Sequence, residues 1–328
     1  MNRSYVPFLS LSKYTQDSLS IVLDHNFTPA GRFHLQYKEL FERVAMTTST
    51  KAWIALILGA MAISSSPILV KLADVPGTSS AFYRVFIGFL VLLPWYAVKG
   101  VKVPTGKTLW AVVAGGLFFG VDLIFWNEGL MRAPAASATL VANNAPIWVG
   151  LVSLFWLKEK LSRYYWLGLA LAIGGMFVVM NGDIQVNPDA VFGLSLAAGA
   201  SVCYAGYLLS TRQARSGIDT VGFMVWSLGI ASLVILPVAW AIGAPLSGFS
   251  MTAWGLILIL GLFSQTIGWL AINYALGHLP ASVTSVVLLG QVVLATLLAV
   301  PFLGEAIRPT QIVGGALIIS GIILVNRR

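Results

Sequence analysis

Charged residues are scarce in this chain: Asp, Glu, Lys and Arg make up only 10% of its 328 residues. A typical soluble domain carries about 25% charged residues, so a sequence this poor in charge cannot cover a water-facing surface. Cysteine occurs once, at Cys203, which excludes a disulfide framework. The histidines His25, His34 and His278 are scattered, and no nucleotide-binding loop or metal-ligand cluster appears. We therefore predict no cofactor and no metal.

Hydrophobic residues dominate instead, at 58% of the chain with a mean hydropathy of +0.85. Apolar runs of about 20 residues are long enough to cross a hydrocarbon core of ~30 Å as helices. Because these runs are continuous and do not alternate, a β-barrel is disfavoured. The sequence predicts an all-α integral membrane protein with ten transmembrane helices, at residues 52–72, 78–98, 108–130, 133–157, 163–180, 191–211, 220–242, 251–274, 279–302 and 309–326.

The net charge of +8 does not indicate nucleic-acid binding, because the basic residues lie singly in short gaps between the predicted spans. Lys and Arg accumulate in the cytoplasmic loops of membrane proteins. If the N-terminus is cytoplasmic, the outer loops receive only Lys71, Arg132 and Arg308, and the inner loops receive the rest of the loop cations. We therefore predict a multi-pass protein of the inner (plasma) membrane, in contact with the lipid bilayer, with both termini in the cytoplasm.

Residues 1–50 differ in kind from the rest of the chain. They show no sustained helical period and no apolar run long enough for a signal peptide. The stretch "MTTSTKAW", beginning at Met46, has the form of a natural start, a short polar and basic lead into the first span. We expect residues 1–50 to be a poorly ordered extension, or residues 1–45 to result from a mis-assigned start.

An internal repeat divides the remaining chain into residues 51–183 and 190–328. When the sequence is shifted by 146 positions, the third to fifth spans fall on the last three, and matching residues include Asn127 with Asn273, Pro134 with Pro280, Glu159 with Glu305, Gly168 with Gly314 and Gly175 with Gly321. Duplicated halves are typical of transporter folds. Because each half has an odd number of predicted spans, the halves must enter the membrane from opposite sides, which makes the repeat inverted.

The ends of the two halves resemble a known family. The segments "LVSLFWLKEKLSRYYWLGLALAIGGMFVV" and "LLAVPFLGEAIRPTQIVGGALIISGIILV" are similar to the paired EamA domains of the drug/metabolite transporter superfamily, in which an apolar helix, a turn with a glutamate and a Gly-rich helix end each repeat. The segment "AFYRVFIGFLVLLP" is also similar. The resemblance implies ten helices and a carrier that works without ATP hydrolysis, and it does not specify a substrate.

Three ionisable side chains lie within predicted spans. Each costs about 2.5–3.5 kcal/mol on insertion scales, and such residues are functional candidates by default. Arg84 and Asp122 have similar predicted depths, which allows an ion pair that either links two helices or binds a zwitterionic or acidic substrate or a proton. Glu128 lies near the predicted outer mouth, where it is either a hydrated rim residue or a coupling residue.

Uncharged polar side chains form a second group of candidates near mid-bilayer. Unpaired amides are costly in lipid, so we expect this group to converge on one partly hydrated cavity, with simple interhelical hydrogen bonding as the alternative. Pro146 frees a carbonyl one turn earlier and bends the fourth span. The other deep tryptophans, including Trp269, are interpreted as packing residues, with the lining of an aromatic-walled pocket as the alternative for one or two of them. The substrate-binding candidates are Asn143, Asn144, Gln265, Gln291, Ser201, Tyr204 and Trp126.

The leading hypothesis is a secondary carrier that exports small metabolites such as amino acids, by alternating access around a midplane cavity. An importer or exchanger of a vitamin or metabolite is the alternative. A membrane-embedded enzyme is a remote one, because no histidine lies in the core of a span. The expected partners are a small-molecule substrate and the bilayer, with no nucleic acid, and the small-residue stripes allow a homodimer as well.

The inverted repeat predicts opposite locations for two equivalent loops. We replace Cys203 by Ser and place single cysteines at Arg163 and at Arg308. A membrane-impermeant maleimide applied to intact cells should label position 308 and leave position 163 unlabelled. Labelling of both positions from the same face would contradict the inverted arrangement.

Overall fold

A computed structural model describes residues 48–325, apart from residues 101, 134, 157, 159, 160, 181–187 and 304–308. The predicted N-terminal extension therefore lies outside the described residues except for its last three positions. The helices are α1 (Thr48–Ser64), α2 (Ser66–Ala73), α3 (Gly77–Val98), α4 (Gly106–Arg132), α5 (Ala135–Ala142), α6 (Ala145–Phe155), α7 (Arg163–Met180), α8 (Pro188–Ala214), α9 (Thr220–Ala241), α10 (Met251–Ile259), α11 (Trp269–Leu276), α12 (Ala281–Val287), α13 (Gly290–Leu303) and α14 (Pro309–Val325).

The described part of the chain is all-helical and contains no strand, as the sequence predicts. Seven stretches are helical, long enough and apolar enough to cross a membrane: Thr48–Ala73, Gly77–Val98, Gly106–Arg132, Val191–Ala214, Thr220–Ala241, Met251–Leu276 and Ala281–Phe302. The apolar helices Ala145–Phe155 and Ile312–Val325 are shorter. The structure therefore shows a multi-pass membrane protein, while the count of ten crossings and their inverted arrangement stay predictions.

Several of these stretches are not continuous α-helices. A turn at Ser65 separates α1 from α2, a turn at Asn143 and Asn144 separates α5 from α6, and a turn at Leu288 and Leu289 separates α12 from α13. A π-helix, Leu260–Gly268, connects α10 to α11. Interruptions of this kind are tolerated in a membrane only where the freed backbone groups face protein or a water-filled cavity.

Apolar side chains fill the core between the helices and also cover the outer surface of the bundle. The most extensive contacts join α4 to α8 and α7 to α14. Large apolar side chains such as Trp110 and Leu233 are 74% and 73% exposed. In a soluble protein such exposure would be unfavourable, but here the outward side chains meet hydrocarbon.

Glycines bring the backbones of α7 and α14 into contact. A Cβ atom on Gly175 would lie 2.5 Å from the carbonyl oxygen of Gly314 and 2.8 Å from Cβ of Leu317. At the other end of the contact, Gly168 meets Gly321. The two helices therefore run antiparallel, which is the relation that the predicted inverted repeat requires for this pair. Small residues are the usual means by which membrane helices approach closely.

Gly175→Ala should lower the free energy of unfolding by about 1–3 kcal/mol, because the added methyl group overpacks a backbone contact. Gly174→Ala is the matched control, since nothing lies within 4 Å of a Cβ atom there. That control should be neutral or slightly stabilising, as Ala is the better helix former. Thermal unfolding of the purified variants in detergent measures both effects. Equal stability of the two variants would contradict the close contact.

Candidate functional site

A cavity with about 530 Å³ of empty space, including its open mouth, lies where the interrupted helices meet. Six of the ten side chains predicted as site residues line it: Arg84, Asp122, Trp126, Asn143, Tyr204 and Gln291. The expectation of one cavity shared by amide and charged side chains therefore agrees with the geometry for these six residues.

Two helix breaks bring Asn143 and Gln291 together. At each break the backbone makes a tight turn, in which Asn144 N donates to Val141 O at 3.2 Å and Gln291 N donates to Leu288 O at 3.1 Å. The turns lie at equivalent positions of the repeat, since the shift of 146 residues carries Asn143 onto Leu289. Pro146, in the first turn of α6, cannot donate a backbone hydrogen bond, which favours the break that precedes it.

The side chains of Asn143 and Gln291 connect the two halves of the chain. Gln291 Nε2 donates a hydrogen bond to Asn143 Oδ1, and Asn143 Nδ2 donates to the carbonyl oxygen of Thr139 at 2.6 Å. Both residues are buried, with exposed fractions of 5% and 8%. Two amides that would be costly alone in lipid thus satisfy each other at the surface of the cavity.

Arg84 is held by neutral partners. Its Nε donates to Oε1 of Gln265 at 2.9 Å and its Nη2 donates to Oγ of Ser66 at 3.3 Å. Ser66 in turn is hydrogen-bonded to Ser264, and the guanidinium carbon lies 5.7 Å from the centre of the Trp126 ring. Gln265 is fully buried behind the arginine and does not line the cavity.

The ion pair between Arg84 and Asp122 is not formed, which corrects the sequence-based expectation. Both side chains line the cavity, but among the described residues the only ion pair within 4 Å joins Arg132 to Glu128. The Arg84 guanidinium is instead directed to Gln265 and Ser66, which accept hydrogen bonds from its Nε and Nη2. Asp122 accepts no hydrogen bond from any described residue, and its side chain is left facing the cavity.

The remaining candidates lie away from the cavity. Glu128 accepts hydrogen bonds from the backbone and the hydroxyl of Thr78, at 2.8 and 2.6 Å, at the first turn of α3. A carboxylate at this end of a helix stabilises the unpaired N–H groups and the helix dipole. Ser201 accepts from Trp148 Nε1 at 3.0 Å, and Asn144 is partly buried outside the lining. A coupling role for Glu128 stays a prediction.

Four lining residues with polar groups, Ser64, Ser66, Thr139 and Trp269, were not among the binding candidates. Thr139 and Trp269 both line the cavity, and the Thr139 hydroxyl and the Trp269 indole N–H are buried without a hydrogen-bond partner in the described residues. The hydroxyl of a threonine in a membrane helix usually hydrogen-bonds to the backbone of its own helix, so the presence of Thr139 in the sequence does not indicate a binding role. Trp269 was interpreted as a packing residue. Its ring does pack against Phe119, with a centroid distance of 5.0 Å, and the residue lines the cavity as well.

A cluster of aromatic rings closes one side of the cavity. The Tyr207 and Phe119 rings stack with centroids 4.4 Å apart, and the Tyr204 ring packs edge-on against Trp269 at 5.8 Å. The Tyr207 hydroxyl also accepts a hydrogen bond from Nδ2 of Asn273 at 2.8 Å. Tyr207 and Phe119 are fully buried, so these two rings form a packed layer behind the lining residues Tyr204 and Trp269.

The fold and the cavity together define a multi-pass membrane protein with a polar cavity between interrupted helices. Residues 50–181 and residues 191–327 each match the EamA-like transporter family. The chain therefore belongs to that family, and the resemblance noted in its sequence is confirmed. Membership makes transport the activity of the class, in place of the catalysis that was the remote alternative.

Individual relatives are distant in sequence but similar along most of their length. The chain is 26% identical to the pseudopaline exporter CntI of Pseudomonas aeruginosa over 83% of this chain and 94% of the relative. It is 25% identical to the threonine/homoserine exporter RhtA of Escherichia coli, over 81% and 86%. A solved crystal structure with 22% identity matches the fold with a TM-score of 0.70, covering 84% of this chain and 96% of the other.

Asn143→Leu should abolish transport while leaving membrane insertion intact, because it removes the acceptor of Gln291 and leaves that amide unpaired beside the cavity. Asn144→Leu places the same change one residue further along, outside the lining, and should reduce transport much less. Initial rates in proteoliposomes, normalised to the amount of inserted protein, measure both. Wild-type rates for Asn143→Leu would remove Asn143 from the site.

Proposed function

We propose that this protein is a secondary carrier that exports small amino-acid-type metabolites across the inner membrane. The observation that carries the proposal is the cavity at which two interrupted helices, α5/α6 and α12/α13, present side chains from both halves of the chain. Discontinuous helices that meet near mid-membrane are the usual substrate site of transporters built from inverted repeats.

Alternating access is the mechanism that this geometry supports. The polar links between the halves at the cavity include the hydrogen bonds of Gln291 with Asn143, of Arg84 with Gln265 and of Ser66 with Ser264. Interhelical hydrogen bonds in membranes average about 0.6 kcal/mol, so breaking one is no obstacle to a rearrangement. The aromatic cluster at Tyr207 and Phe119 then closes one side while the other is open, and the substrate crosses when the halves rock to the opposite arrangement.

The direction of transport and the substrate class are supported by the relatives. Two proteins that cover most of this chain are named as exporters, one of pseudopaline and one of threonine and homoserine. A cavity with one cationic and one anionic side chain suits compounds of the amino-acid type. The excess of basic residues in the predicted inner loops supports a cytoplasmic location for both termini.

The test is release of labelled amino acids from proteoliposomes that contain the purified protein. Liposomes are loaded with an equimolar mixture of isotopically labelled amino acids, and the appearance of each compound outside is followed by mass spectrometry, with and without a pH gradient. We expect at least one amino acid to leave faster than from protein-free liposomes. Release of none would contradict the substrate class, and release only in exchange for an external amino acid would favour the exchanger.

A further inference from the structure

Two side chains of opposite charge type, Arg84 and Asp122, line the cavity without direct contact. Arg84 is 2% exposed and Asp122 is 7% exposed, and both line the same space without an ion pair within 4 Å. Charges buried inside a membrane protein are costly unless they are paired or serve a substrate. Because no ion pair joins them, both side chains remain available to a ligand in the cavity.

The Asp122 carboxylate selects for a cationic donor. It accepts no hydrogen bond from the residues that the structure describes, although an ionised carboxylate has lone pairs for several. Arg84 does not satisfy it, because that guanidinium is directed to Gln265 and Ser66. An ammonium group on a ligand would supply both the missing charge and the missing hydrogen bonds.

Three buried donors line the same cavity and lack partners. They come from three different helices and are the hydroxyls of Thr139 and Tyr204 and the indole N–H of Trp269, and each residue is at most 7% exposed. Buried polar groups almost always have a hydrogen-bond partner, so a group of orphans around one cavity calls for an explanation. A ligand carboxylate beside Arg84 would accept from such donors.

Charge balance excludes ligands that carry only one of the two groups. The lining has one positive and one negative side chain, and a zwitterion leaves this balance unchanged. A ligand with an ammonium group alone would leave Arg84 without an anion, and a ligand with a carboxylate alone would leave Asp122 without a cation. Either ligand would make only one of the two ionic interactions and would leave the other buried side chain without an ionic partner.

We propose that the cavity binds its substrate as a zwitterion, with the ammonium group on Asp122 and the carboxylate between Arg84 and the donors of Thr139, Tyr204 and Trp269. This inference rests on the proposed function, since it names the chemical form in which the exported compound is recognised. It assigns Asp122 and Arg84 as the two residues that determine specificity.

Calorimetric titration of the full-length protein in lipid nanodiscs tests the proposal. The probes are L-threonine with isopropanolamine and β-hydroxybutyrate, and L-leucine with isoamylamine and isocaproate. Each amine lacks only the carboxylate and each acid lacks only the amino group, so both are smaller than the parent and cannot be excluded by size. We expect at least one parent to bind at least about tenfold more tightly than both of its analogues, because a unit charge beside a buried partner is worth more than that factor.

The two ways of failing are distinguishable. If an analogue binds as tightly as its parent, or if neither parent binds, zwitterion recognition is overturned. The carrier function stands in either case as long as labelled amino acids leave the proteoliposomes, and it falls separately when none leaves.

Two variants add a second measurement, the ratio of affinities for the amino acid and its analogues, which a purely structural role of the residue would leave unchanged. Asp122→Asn should remove the preference for the amino acid over the deaminated acid, and Arg84→Gln should remove the preference over the amine. Asp219→Asn and Arg163→Gln are the matched controls outside the cavity, where Asn still caps α9 at the Asp219 position and Arg163 is exposed. Both controls should keep the wild-type ratios. A uniform loss of affinity for all three compounds in Asp122→Asn would overturn the assignment of that residue.

Discussion

The absence of water inside a bilayer is the constraint on which this structure depends. Every backbone N–H and C=O group that leaves a helical ladder there must find another partner, so a helix can be interrupted only beside protein or a hydrated space. The turns at Asn143–Asn144 and at Leu288–Leu289 are such interruptions, and both border the cavity. The cavity and the breaks are therefore one feature: the polar space permits the turns, and the turns place the amides that line the space.

The same constraint explains how the charges are arranged. The Glu128 carboxylate lies at the first turn of α3, where it accepts a hydrogen bond from the backbone N–H of Thr78 and forms an ion pair with Arg132. Arg84 shares its protons with an amide and a hydroxyl that carry no charge. An arginine solvated in this way keeps its full charge for a ligand, which a direct bond to Asp122 would have reduced.

The sequence allows prediction of the helices, the membrane setting and the depth of the polar residues, because composition and apolar run length report these directly. The family was predicted from the resemblance of the segments that end the two halves. The depth of a residue in the membrane, however, does not tell which way its side chain points around the helix axis or which helix it faces. Gln265 was expected at the cavity and lies behind Arg84, since a π-helix changes the phase of its side chains. The Arg84–Asp122 pair failed for a similar reason: equal depth does not reveal that closer neutral acceptors exist. Thr139 was overlooked because hydroxyls in apolar helices ordinarily bond to their own turn.

The glycine contacts between α7 and α14 bring two backbones of the bundle together. Backbone touches backbone at Gly175 and Gly314, with no flexible side chain between them to absorb a displacement. Because the packing is this close, we expect the two helices to behave as one rigid unit. The interrupted helices α12 and α13 pack directly on this pair, because Val286 and Val292 share one buried cluster with Leu169 of α7 and Ile318 of α14. Any rearrangement of the break between α12 and α13 therefore has to take place against a closely packed surface.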